Sequence, residues 1–184
     1  MTDSKDPKKA APWVLPLRVE DVSESGRHVE LRADAQMLAQ LAAYTGVRAM
    51  ERADASFDVT RHGRDGLHVV GEVRAKVGQT CVVTLEPMES EIAEPVDVLF
   101  KPAAKAPRKA GGELEVDAAA SDPPEPLIDG TVDLGAVATE FLILGIDPYP
   151  RKPDATFDTP EADTPEEGPF AALAKLKSGG GADK

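Results

Sequence analysis

Residues 67–77, LHVVGEVRAKV, place Leu67, Val69, Gly71, Val73, Ala75 and Val77 at every second position, with mostly polar residues between them. Successive side chains on a strand point to opposite faces, so this segment is a strand with one buried face and one wet face. Such a strand needs neighbours with the same asymmetry. Phe57 and Val59 alternate with Asp58 and Thr60 ahead of the turn sequence HGRDG, and Val96, Val98 and Phe100 resume the pattern after Pro95. Cys81, Val83 and Leu85 read as a further strand between them. Sequential strands joined by short turns imply an antiparallel meander, curled into a partly closed barrel or backed by helices.

The period changes elsewhere. Leu15, Leu17 and Val19 alternate with Pro16, Arg18 and Glu20, and after SESG the residues His28, Glu30 and Arg32 alternate with Val29 and Leu31, so these two runs read as a hairpin with Pro16 on an edge strand. From Asp34, a capping residue, Met37, Leu38, Leu41 and Ala42 form the apolar stripe of a short helix that Gly46 stops. A second helix starts at Thr131 or Asp133 and carries Leu134, Val137, Ala138, Phe141 and Leu144 on one face, broadened by Leu142, Ile143 and Ile146 until Pro148. PFAALAKLK forms a third, with Pro169 at its first position and Phe170, Leu173 and Leu176 on one side. A helix so short is marginal alone and has to dock on the domain or on a partner.

A chain of 184 residues holds one ordinary domain. With 16 prolines and 15 glycines, part of it is unsuited to packing. Residues 1–12 read as a flexible tail, 13–178 as a single α+β domain and 179–184 as a flexible end. Within that domain KPAAKAPRKAGGELEVDAAASDPPEP, residues 101–126, has no periodicity, and it reads as a disordered charged insert whose first half is basic and second half acidic. The expected fold is an antiparallel β-meander or partly closed barrel packed by two or three short helices.

The net charge is −12, and it is unevenly placed: residues 1–112 carry 16 Lys and Arg against 17 Asp and Glu, whereas residues 113–184 carry 5 against 16. Proteins that coat nucleic acid need clustered positive charge to displace counterions, so extensive RNA or DNA binding is disfavoured. A single cysteine makes no internal disulfide. The N-terminal MTDSKDPKKAAPWVLPLRV lacks the apolar run of a signal peptide, and FLILGI, residues 141–146, falls far short of the roughly 20 apolar residues that span a bilayer. The expectation is a cytoplasmic protein without membrane attachment.

The chemistry inventory is thin. A structural zinc site draws four ligands from closely spaced Cys and His pairs, but Cys81 stands alone and His28, His62 and His68 are scattered. His62 and His68 flank a hairpin turn, where a shared register would set them face to face; the plainer reading is two half-exposed strand histidines. A nucleophilic Cys81 would need an activating base that the sequence does not place beside it, and its position in an apolar alternation suits a small buried side chain. Glu89 with Glu91, or Glu166 with Glu167, are pairs that arise by chance among 33 acids. No catalytic residue, cofactor or metal site is expected.

DPYPRK, residues 147–152, is the most unusual local stretch. Pro148 and Pro150 stiffen the chain around Tyr149, and Arg151 and Lys152 are the only basic residues between Lys109 and Lys175. A rigid aromatic beside basic side chains suits an interaction surface. A helix-exit turn kept soluble by its charges is the other reading, and both stay open.

CVVTLEP within a meander, a charged insert, DLGAVATEFLILGIDPYPRKPDA and a terminal PFAALAKLK together resemble the YceD-like family of large ribosomal RNA subunit accumulation proteins, in its alphaproteobacterial form. The likeness spans most of residues 14–178. Many members carry a second cysteine where this chain has Thr84, followed by Leu85, Glu86 and Pro87, so a two-cysteine site is impossible here and Cys81, Thr84, Leu85, Glu86, Pro87, Asp147, Pro148 and Pro150 are read as structural. The resemblance implies a noncatalytic ribosome-biogenesis factor supporting accumulation of 23S rRNA. The acidic charge points to a ribosomal protein or an rRNA-processing or assembly factor as partner, with limited rRNA contact left to Arg151 and Lys152 or to the insert's basic half. A metal-dependent RNA-processing hydrolase and an acidic adaptor or chaperone for basic proteins are the alternatives. Nothing in the sequence sets an oligomeric state.

Limited trypsin digestion is expected to cut first between Lys101 and Pro126, at Lys105, Arg108 and Lys109, with Lys101 shielded by Pro102. Mass analysis of the first fragments checks this, and early cleavage within the 47–100 strands instead would refute the domain boundaries.

Overall fold

The computed structural model describes residues 10–102 and 123–157. The middle of the insert, the expected terminal helix and the C-terminal end lie outside the described residues. The elements run β1 (Pro16–Arg18), a 3-10 turn (Val19–Asp21), β2 (Arg27–Arg32), α1 (Ala35–Thr45), β3 (Ala49–His62), β4 (Gly66–Thr80), β5 (Pro87–Pro102), β6 (Glu125–Leu127), β7 (Thr131–Asp133) and α2 (Leu134–Gly145). The fold is α+β. A five-stranded sheet in the order β2-β3-β4-β5-β6 is antiparallel except for its parallel β5–β6 edge, and β1 with β7 forms a separate two-stranded sheet.

β4 is the spine of the larger sheet. It pairs along its length with both β3 and β5, opposing Val59 to Val69 to Val98 and Ala53 to Ala75 to Ile92. Leu67, Val69, Val73, Ala75 and Val77 are fully buried, with Phe57 and Val59 beside them on β3 and Val96 on β5. The inward phase on β3 switches from Met50 to Ala53, because the register shifts between Met50 and Arg52 and the added residue turns the alternation over. Gly71 permits the closest approach within the sheet: a Cβ there would collide with the Ser56 carbonyl oxygen and with Phe57.

Two helices cover the apolar face, α1 against β3 and α2 against β5 and β4. Asp34 caps α1 by accepting the Met37 N–H at 2.8 Å, and Gly46 closes it at φ 77°. Asp133 starts α2 by accepting from Gly135 N–H at 3.0 Å and Ala136 N–H at 3.2 Å, and the same oxygen accepts the Leu15 N–H at 2.8 Å, so one carboxylate fixes both the helix start and the approach to β1. No helix among the described residues is long and apolar enough to cross a membrane.

Four expectations are corrected. β1 and β2 do not form a hairpin: β1 pairs with β7, Leu17 opposite Val132, while β2 pairs with β3. Both partners are apolar on one side, and burial of Leu17 and Val132 favours the long-range pairing. Cys81, Val83 and Leu85 are not a strand but the turn joining β4 to β5. Leu144 does not share the buried face of α2, which is made by Leu134, Val137, Ala138 and Leu142. Finally, Lys101 and Pro102 continue β5 and pair with Pro126 and Leu127, so both edges of the 101–126 segment are strand. Pro95 sits inside β5 opposite Glu72, on a stretch that β6 does not reach, as a residue without an N–H requires.

Gly71→Ala is expected to destabilise the protein by about 1–3 kcal/mol, since the added methyl overpacks the β3–β4 contact. Gly63→Ala, with open space around it but a φ of 66°, is expected to cost about 1 kcal/mol. Urea unfolding of the two variants checks the ranking, and equal or reversed losses would contradict the packing at Gly71.

Candidate functional site

The segments 81–87 and 147–152, 60 or more residues apart in sequence, meet at the end of the sheet where β4 turns into β5. Gln79, buried near the end of β4, donates its side-chain amide to the Asp147 carbonyl at 2.8 Å. The Val82 N–H donates to the Pro150 carbonyl at 2.9 Å, and the Lys152 N–H points at Cys81 Sγ at 3.5 Å. Lys152 Nζ then reaches Glu86 Oε2 at 2.6 Å. These four contacts clasp the chain leaving α2 onto the β4–β5 turn.

Inside the clasp Cys81 is fully buried. Its sulfur takes the Thr84 N–H at 3.5 Å as well as that of Lys152, while the Cys81 N–H donates to the Glu86 carbonyl and the Leu85 N–H to the Cys81 carbonyl, each at 2.9 Å. Hydrogen bonds from Thr84, and then from the Lys152 and Val83 N–H groups, stabilise the thiolate and pull the thiol down to about 6, against the opposing effect of burial. Lys152 in turn holds the Glu86 carboxyl below the usual carboxylate range by its hydrogen bond and charge.

The outside of the clasp is different. Leu85 stands 76% exposed in the left-handed region, at φ 59°, a conformation that costs a residue with a Cβ roughly 1–2 kcal/mol and suits glycine. Tyr149 is 71% exposed, with its N–H held by the Asp147 carboxylate at 2.8 Å. Pro150 is buried, which anchors the stiff segment, and Arg151 projects into solvent without a hydrogen bond or ion pair among the described residues. The structure therefore divides the basic pair: Lys152 is spent on Glu86, and Arg151 alone is free. Thr84 supplies an N–H donor to Cys81 from within the same turn. Pro87 begins β5, and Pro148 follows α2 on the surface.

Much of the polar chemistry on the sheet is self-paired. On the wet face of the sheet Lys76 bridges Glu51 at 2.8 Å and Glu89 at 2.7 Å, Arg52 bridges Asp54 and Glu91, and His28 and His68 bind Asp58 and Asp97. His62 pairs in register with Gly66 and His68 with Thr60, so the two histidines do not oppose each other across the turn. Asp58 raises the pKa of His28. Among the described residues no three His, Cys, Asp or Glu side chains come together in a metal-holding group.

The sequence singled out most of these residues but not their union. Nothing local in CVVTLEP or DPYPRK shows that the two segments touch, and the exposed left-handed Leu85 has no signature short of the turn itself. Residues 69–177, which include both halves of the clasp, match the family described as "Large ribosomal RNA subunit accumulation protein YceD". No curated protein and no solved structure matches the chain.

Cys81 is expected to resist a water-soluble thiol reagent in the folded protein and to react fully once unfolded, because enclosure and not acidity controls its access. A depressed thiol pKa contributes stability that is complete above the ordinary thiol range and is lost as the pH falls through about 6. The stability gap between the native protein and Cys81→Ala should accordingly narrow from pH 9 to pH 6 in thermal unfolding. Rapid native labelling, or a gap that widens over that range, would contradict the enclosed and hydrogen-bonded thiol.

Proposed function

The chain belongs to the YceD family of large ribosomal RNA subunit accumulation proteins, and from that premise we propose that it is a noncatalytic factor of ribosome biogenesis whose clasp is the surface that receives a basic protein partner. Membership implies a role in large-subunit rRNA accumulation, which belongs to the cytoplasm.

One observation carries it. A leucine held outward in a left-handed turn is unfavourable twice, once for its backbone and once for its exposed apolar side chain, and glycine would relieve both. The chain keeps Leu85 there beside a segment whose prolines hold Tyr149 and Arg151 outward. An apolar anchor, an aromatic ring and an unpaired guanidinium are the side chains that dominate binding at protein interfaces. The ordering is complete before a partner arrives, which reduces the entropic cost of binding.

Charge selects the partner. With a net charge of −12 the chain attracts a basic protein, such as a ribosomal protein or an rRNA-processing or assembly factor, more readily than bare RNA. The sheet's wet face offers no open basic track, because its cations are paired with carboxylates. Arg151 gives the interface one positive contact, enough to orient a partner that also carries a carboxylate or a phosphate.

Deleting the protein from its cell is expected to lower 23S rRNA relative to 16S rRNA. Leu85→Gly is expected to fold as stably as the native protein or more so, while failing to restore the ratio, and Arg151→Glu to restore it only in part. Lys152→Glu is less informative alone, since it also breaks the Glu86 contact. A normal ratio in the deletion strain rejects the role, and full rescue by both Leu85→Gly and Arg151→Glu rejects the clasp as the surface.

A further inference from the structure

We propose that the apolar groove between α2 and the β5–β6 edge is the docking site for this chain's own residues 169–177. The groove has a volume of about 430 Å³ and is walled by Val98 and Phe100 of β5, Pro126 and Ile128 beyond it, and Phe141 and Leu144 of α2. Ile128 is 74% exposed and Leu144 69% exposed. The sequence of α2 is apolar nearly all round, as in helices covered on more than one side. The sheet covers only its inner face.

Residues 169–177, PFAALAKLK, lie outside the described residues. Three considerations make them the occupant. In a helix Phe170, Leu173 and Leu176 fall on one stripe, and a helix of nine residues is stable only against another surface. The segment carries Lys175 and Lys177 and no acid, whereas Glu125 and Glu140 stand at the groove with no cation bridged to them among the described residues. The family match runs from the sheet through to residue 177, so the segment belongs to the same unit as the groove.

The tether allows it. Lys152 is fixed at the Cys81 turn and its carbonyl takes the Ala155 N–H at 3.1 Å, so the chain bends there, and the 15 residues from Ala155 to Phe170 reach at most about 50 Å when extended. That exceeds the roughly 43 Å along β5 from Pro87 at the clasp to Phe100 in the groove.

The test uses the full chain with a nitroxide on Ser178→Cys, Cys81 being enclosed, and reads amide broadening by NMR. The expected result is broadening at Ile128, Ala136, Glu140 and Leu144 but not along β2, unchanged on dilution with unlabelled protein, and lost in Leu173→Asp. Lys175→Glu with Lys177→Glu should weaken it several-fold, and adding Glu125→Lys with Glu140→Lys should restore it. Absence of broadening at the groove, or its survival in Leu173→Asp, overturns the proposal. Broadening in a mixture of nitroxide-bearing chains and separate isotope-labelled chains assigns the groove to a second copy instead and overturns it equally.

Discussion

The one-sided burial of β4 is the constraint from which the rest of the architecture follows. Its inward residues are packed to zero exposure, and its neighbours β3 and β5 are bound in register along nearly all of it. A slip of one residue would carry Val69, Val73 and Val77 to the solvent face, at about 25 cal/mol for each Å² of apolar area returned to water. The register is therefore held by the core. The bulge after Met50 is tolerated because it restores the inward phase for both ends of β3.

The wet face obeys the same logic with opposite chemistry. Exposed ion pairs such as Lys76 with Glu51 and Glu89 add little to stability, but they leave the face without a concentrated positive field. At the end of the sheet, contacts to Pro150 and Cys81 fix the clasp and leave Leu85, Tyr149 and Arg151 exposed. A rigid small anchor on a strongly acidic body suits fast, charge-steered association with a basic partner.

Asp133 links the two halves of the fold with three hydrogen bonds to one oxygen. Through it α2 is set against the sheet and β1 is brought to β7, with Gly135 leaving room for the Trp13 backbone, where a Cβ would sit 2.6 Å from the carbonyl oxygen. The position of α2 then determines where residues 147–152 fall, and hence that Lys152 arrives at Glu86.

Alternation along 67–77, the Asp34 and Gly46 boundaries of α1 and the Asp133 start of α2 were all legible, because strand faces and helix caps are local consequences of residue type. The family resemblance was legible too, from motifs scattered along most of the chain. The reading of 81–85 as a strand failed because alternation over five residues does not distinguish a strand from a turn, and only the backbone reveals the left-handed Leu85. The β1–β2 hairpin failed for a related reason: local turn sequences suggest neighbours, but Leu17 finds Val132 more than 100 residues away. What the sequence determined by itself was the long strands β3, β4 and β5 with the faces they bury and the limits of the two helices, since these depend on periods of two and 3.6 residues and on caps. The tertiary structure alone decided the β1–β7 pairing, the meeting of Cys81 with Lys152 and the freedom of Arg151, because contacts between distant segments depend on how whole faces pack together.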